Sequence, residues 1–119
     1  MKSTAFIFSS SPHGSSIGRE GLDVALSFSL VTKKISFFFI DDGVLQLMLY
    51  QNPNLIHSHH HSLSFKIFLL YEIKGFFFCQ RSAYQRGLKE DDNFIVPVKF
   101  LNSHCFLEQI KKYNFILKW

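Results

Sequence analysis

The amino-acid sequence predicts a single α/β domain, residues 1–119, built on a mostly parallel five-stranded sheet with helices on both faces. Three observations predict it. Five short apolar runs are aromatic or β-branched and mostly lack period-two alternation, as strands buried on both faces do. Segments with helical spacing separate them, and strands that alternate with helices form parallel sheets covered on both sides. With 119 residues, the chain has the length of one domain and can bury roughly two thirds of the surface its unfolded form exposes.

The strands are expected at Thr4 to Phe8, Ile35 to Ile40, Phe76 to Cys79, Phe94 to Val98 and Asn114 to Leu117. Pro97 sits awkwardly in the fourth, because a strand proline has no N–H to donate and belongs near an edge or a bulge. Helices are expected near Ile17 to Val31, Val44 to Tyr50, His60 to Tyr71, Ser82 to Gly87 and Ser103 to Lys112. The first carries two apolar stripes, Leu22, Ala25, Leu26 and Leu30 on one side and Val24, Phe28 and Val31 on another. The third repeats this, with Leu63, Ile67 and Leu70 on one flank and Phe65, Phe68 and Leu69 on the other. A surface helix needs one apolar face, so the second stripes are read as a subunit interface. The last helix offers Phe106, Ile110 and Tyr113 to the core and keeps Glu108, Lys111 and Lys112 in solvent.

Fifteen Phe among 47% hydrophobic residues imply a core crowded with rings and some apolar area kept for a partner. The net charge of +4 comes from scattered Lys and Arg with no run, a solvated basic surface rather than a groove that tracks phosphates, so no direct nucleic-acid binding is expected. The apolar run Ala5 to Phe8 is too short for a signal-peptide core, and no stretch approaches the roughly 20 apolar residues of a membrane span. A cytoplasmic protein with no membrane contact is therefore expected, with Cys79 and Cys105 as free thiols.

Five places could carry chemistry. The loop SSSPHGSSIGREG, Ser9 to Gly21, lies between strand and helix where phosphate binders place backbone N–H groups, but it has neither a Gly-Lys-Ser/Thr nor a G-x-G-x-x-G pattern. Asp41, Asp42 and Gly43 close the second strand, where helix capping and a tight turn are the simpler reading and catalysis or metal binding the alternative. The tract His57, Ser58, His59, His60, His61 offers imidazoles, yet neighbours on a helix diverge and no Cys or carboxylate stands at zinc-site spacing, so no metal is assigned. Cys105 follows His104 directly, a spacing at which helical residues do not face one another. Cys79 ends the run FFFC before QRSAYQRGL. A thiol at a strand end near a helix start and Arg81 and Arg86 can have its thiolate stabilised, while the same position also suits a buried structural cysteine.

In order along the chain, PHGSSIGREGLDVAL, FFIDDGVLQL, FKIFLLYEI, CQRSAYQRGL and YNFILKW resemble the TusC, or DsrF-like, subunits of the bacterial sulfur relay, within the DsrE/DsrF-like family. The resemblance covers nearly the whole chain and implies a DsrE-like parallel sheet flanked by helices. It implies TusB-like and TusD-like partners in a heterohexamer with two copies of each, a complex that takes persulfide sulfur from TusA and passes it to TusE for 2-thiolation of the modified wobble uridine of tRNA. It implies no cofactor. In that scheme the sulfur carrier is the TusD-like subunit, whose cysteine sits at the strand end matching Cys79, and the TusC-like subunit is structural, not an enzyme by itself. By the same resemblance Ser9 to Gly21 is a strand-to-helix loop, with Gly14 and Gly18 serving a turn and Ser16 capping the helix. The competing expectations are a flavodoxin-like flavin or nucleotide binder, which Pro12 disfavours by interrupting the Ser/Thr-Gly pattern such loops use, and a stand-alone enzyme with Cys79 as nucleophile.

Overall fold

The computed structural model describes residues 3–11, 17–48 and 63–119. Five parallel strands form one sheet in the order β4-β3-β2-β1-β5. They are β1 (Thr4–Phe8), β2 (Ile35–Phe39), β3 (Gly75–Cys79), β4 (Lys99–Leu101) and β5 (Phe115–Lys118). Helices α1 (Ile17–Ser29), α2 (Lys66–Leu70), α3 (Gln80–Gln85) and α4 (Ser103–Lys111) lie between them, with a 3-10 helix at Asp41–Leu47.

The fourth strand is displaced from its expected place. Phe94 to Val98 is apolar because it packs as a loop: Phe94 bridges Met48 antiparallel, and the Ile95 N–H donates to the Leu47 carbonyl at 2.8 Å. Ile95 and Val96 are buried there. Pro97 ends the loop, and the true strand follows it at the sheet edge, where Lys99 is exposed. The expected α-helix at Val44 to Tyr50 is instead the tighter 3-10 helix beginning at Asp41. Gly43 explains its position, since a Cβ there would stand 1.9 Å from the Phe8 carbonyl oxygen. Only a residue without a side chain lets this helix press on the end of β1.

The order of strands decides which face each helix covers. The chain steps outward from β1 to β4, then returns to β5 on the far side of β1, and right-handed crossovers put outward and return connections on opposite faces. The face under α1, α2 and the 3-10 helix holds Phe6, Phe8, Phe37, Phe39, Phe76 and Phe78 in one cluster with Leu22, Ala25, Val44, Leu47, Phe65 and Phe68. Phe37 lies at its centre, stacked on Phe76 at 5.1 Å and edge-on to Phe65 at 5.9 Å. Trp119, stacked on Phe6 at 5.6 Å, closes one side, and its backbone is tied by N–H donation to the Ile7 carbonyl and by acceptance from the Ser9 N–H. Among the described residues the opposite face has α4 alone, whose Phe106 and Ile110 pack with Ala5, Phe38 and Cys79.

The apolar stripes divide differently from expectation. On α1, Leu22 and Ala25 are buried and Leu26 half-buried, but Val24 and Phe28 are half-buried too, with Phe28 edge-on to Phe6 at 5.4 Å. Most of the second stripe is therefore core. Leu30 and Val31 lie past the helix end and are exposed. On α2, Phe68 is buried and Ile67 and Leu70 are exposed. Residues 60–62 of the expected third helix, and 49–50 of the second, lie outside the described residues.

Candidate functional site: the carboxyl ends of β2 and β3

Open parallel sheets bind and react at the carboxyl ends of their strands, where loops converge and helices begin. Here the ends of β2 and β3 bring together Asp41, Asp42, Cys79, Arg81, Ser82 and Arg86. Alternation along β3 sets the direction of Cys79. With Phe76 and Phe78 in the large cluster, Phe77 and Cys79 face α4. The thiol is 4% exposed and packed among Ala5, Phe38, Phe106 and Ile110. Cys79 is the residue before α3, and its side chain makes no capping hydrogen bond.

Of the two arginines expected to favour a thiolate, Arg86 is engaged otherwise. Arg86 donates from Nε to Asp42 Oδ1 at 2.9 Å and from Nη1 to the Ser82 carbonyl at 3.1 Å. Arg81 is exposed. The Asp41 N–H donates to Ser82 Oγ at 2.9 Å, which ties the end of β2 to α3. Asp41 has φ 53, in the left-handed region that non-glycine residues seldom adopt. Neither aspartate caps the helix that follows. The N-cap position is Ile40, with no side-chain hydrogen bond, and both aspartates lie in the first turn, where negative charge is favoured. Ser82 was not singled out in the sequence, because the group its hydroxyl serves, the Asp41 N–H, is 41 residues away.

The remaining candidates separate from this group. Pro12 to Ser16 and the tract His57 to His61 lie outside the described residues. Gly18 lies inside α1 rather than in a turn, and a Cβ there would come within 2.8 Å of the Gln46 amide nitrogen. Gln46 is fully buried and donates to the Ser10 carbonyl at 2.9 Å, so Gly18 and Gln46 together hold the first turn of α1 against the end of β1. Cys105 is an exposed free thiol in the first turn of α4, where its N–H donates to the capping Asn102 side chain at 2.9 Å. A shallow cleft of about 410 Å³ beside β4 is lined by Glu90, Asp92 and the loop through Val98, and it does not include Cys79.

Comparison with known proteins agrees with the fold. The model of the DsrE/DsrF-like family matches residues 2–119. The chain belongs to the DsrE/DsrF-like family. Within it, the chain is a TusC homologue: it is 45% identical over 119 residues to Protein TusC of Buchnera aphidicola subsp. Acyrthosiphon pisum (strain 5A), covering all of both chains. It is 43% identical to Protein TusC of the Baizongia pistaciae subspecies and 42% to that of the Schizaphis graminum subspecies, again over all of both chains. The crystal structure of the YchN protein from E. coli superposes with a TM-score of 0.83 over the whole of both chains at 15% identity, which establishes the DsrE-like fold. Among the described residues no helix is long and apolar enough to cross a membrane.

Proposed function

We propose that this TusC homologue is a structural subunit of a cytoplasmic sulfur-relay complex, assembled with TusB-like and TusD-like chains as a heterohexamer of two copies each. The complex passes persulfide sulfur from TusA to TusE for 2-thiolation of the modified wobble uridine of tRNA. Full-length identity to TusC supports the relay. The observation that carries the non-carrier role is the burial of Cys79 under α4.

The chemistry makes burial decisive. In persulfide transfer, an acceptor thiolate attacks the outer sulfur of the donor's persulfide. The donor's S–S bond breaks, its inner sulfur leaves as a thiolate, and the acceptor holds the new persulfide. An acceptor must therefore reach the donor protein directly and be ionised. Cys79 sits against Phe38 and Phe106, and Arg86 is bound to Asp42 and to the Ser82 carbonyl. The sulfur is carried by the TusD-like subunit, and this chain positions that subunit.

Replacing Cys79→Ser in cells leaves wobble-uridine thiolation near its normal level, while the same change at the matching TusD-like cysteine abolishes it. Mass spectrometry of the purified complex is expected to find persulfide on the TusD-like chain and none on Cys79. Loss of thiolation with Cys79→Ser in a complex that still assembles would make this chain a carrier.

A further inference from the structure

All-parallel sheets occur almost only with both faces covered; among the described residues, α4 is the one helix on this face and leaves part of it open. Helix α4 lies over β3 and β4 and reaches β2 through side chains: Phe106, and Tyr113 just past the helix end, each meet the Phe38 ring edge-on at 5.5 Å, and Tyr113 Oη donates to Ser36 Oγ at 2.6 Å. On the same face, β1 contributes Ile7 and β5 contributes Ile116 and Lys118, by the register Ala5 to Ile116 and Ile7 to Lys118. Ile7 is half-buried and Ile116 is 49% exposed.

The helix itself supplies one wall. Return from β4 to β5 by a right-handed crossover makes α4 run antiparallel to the strands. With Phe106 and Ile110 turned down to the sheet, a right-handed helix running this way swings the next residue, about 100° on, toward β1 and β5. That residue is Leu107, 55% exposed. Leu107, Ile7 and Ile116 thus form a trough with an apolar wall and floor. Lys111, one turn beyond Leu107 and loosely paired with Glu108 at 3.5 Å, and Lys118 supply positive charge along its rims.

We infer that this trough is the seat of one helix of a partner subunit, with an apolar stripe flanked by Asp or Glu. Two neighbouring strands span about 10 Å, and a helix with its side chains is about 10 Å across, so the open area is one helix wide. The lysines select acidic flanks. A second copy of this chain fits poorly. Among the described residues, α1 and α4 offer polar outer faces, Arg19, Glu20, Asp23 and Ser27 on one and His104, Glu108, Lys111 and Lys112 on the other, while the five-residue α2, whose Ile67 and Leu70 are exposed, carries Lys66 and no acid and would bring a further cation against Lys111 and Lys118. The inference rests on the heteromeric reading above and says where the partner docks.

The test is coexpression with the TusB-like and TusD-like chains, with the TusD-like chain tagged and the co-eluting amount of this chain measured. Ile116→Glu and Leu107→Glu are each expected to lower co-elution at least tenfold. Leu70→Glu, on the exposed end of α2, should leave it within about twofold. Because Ile116→Glu could disturb β5, the double change Lys111→Glu with Lys118→Glu is made as well. Both sites are exposed, and the loss of co-elution should be largest at low salt. Normal co-elution of all the trough variants would overturn the docking site and leave the heteromeric reading standing. No co-elution of the unmodified chain would overturn both. A homodimer of this chain, broken by Leu107→Glu, would overturn the choice of a partner subunit in favour of a second copy.

Discussion

The two faces of this one sheet are built on different terms. Toward α1, α2 and the 3-10 helix, eighteen buried residues form a single cluster, and ten of the fifteen phenylalanines are fully buried across the molecule. Toward α4, five buried residues form the smaller cluster, and one nine-residue helix roofs it. The difference follows from the strand order: three outward crossovers put their cover on one side and the single return puts α4 on the other. The lesson is that the packing which stabilises the fold is divided unequally between the faces. The first face holds most of the buried packing, and the second holds Cys79 and a smaller cluster.

The largest expected effect tests that division directly. Phe37→Ala removes a fully buried ring that touches Phe6, Phe8, Phe65, Phe68 and Phe76. Its neighbours are held by several elements and cannot close the cavity, so the cost falls toward the upper end of the roughly 3–5 kcal/mol range for such truncations. Against a typical net stability of about 5–15 kcal/mol this approaches unfolding. Phe106→Ala on the other face is expected at the lower end, about 3 kcal/mol, because α4 is a single helix that can settle onto Phe38. Urea midpoints read through the fluorescence of Trp119, the only tryptophan, measure both. Equal losses would show that the small cluster is as rigid as the large one.

How far these terms were legible in the sequence depends on whether the cause was local. The first three strands and the fifth follow from runs of aromatic and β-branched residues, and the two-sided burial of β2, ISFFF, was visible as an unbroken run. The fourth strand was misplaced because Phe94, Ile95 and Val96 are apolar for a tertiary reason, packing beside the 3-10 helix, while Lys99–Leu101 is an edge strand with little apolar signal. Asp42 was legible as a strand-end carboxylate, but its partner Arg86 is 44 residues away, and only the fold could show that the arginine is drawn off from Cys79. Exposure of Leu107 and Ile116 was illegible for the same reason. No local pattern tells which half of a sheet one helix covers.

A smaller effect sharpens the account of the weaker face. Tyr113 Oη to Ser36 Oγ is a part-buried hydrogen bond that pins the end of α4 to β2. Tyr113→Phe leaves the serine hydroxyl short of a partner and is expected to cost about 1 kcal/mol. Ser36→Ala leaves the phenol short instead, and a double-mutant cycle separates their coupling from packing. Coupling near zero would mean that α4 is positioned by Phe106 and Ile110 alone.

The smallest expected effect lies at the opposite end of the strands, where Lys33 Nζ meets Glu72 Oε2 at 3.0 Å and joins the turn before β2 to the turn before β3. Hydrogen bonding to Lys33, and then its charge, holds the Glu72 carboxyl below its ordinary value of 4.5. A group whose folded pKa is lowered adds stability above its unfolded pKa, and that contribution disappears as acid titrates it through the folded value. Both side chains are largely exposed, so water and salt screen the pair strongly. Glu72→Gln is therefore expected to lower the melting temperature by only about 1–2 °C at pH 7. The difference should shrink below pH 4.5 and also in high salt. Glu72 carries a second, independent strain, since its φ of 64 favours glycine. Glu72→Gly trades the pair for a relaxed turn and should melt above Glu72→Gln at every pH. If the two variants melt together, the backbone of this turn costs nothing and the ion pair accounts for the whole effect at this site.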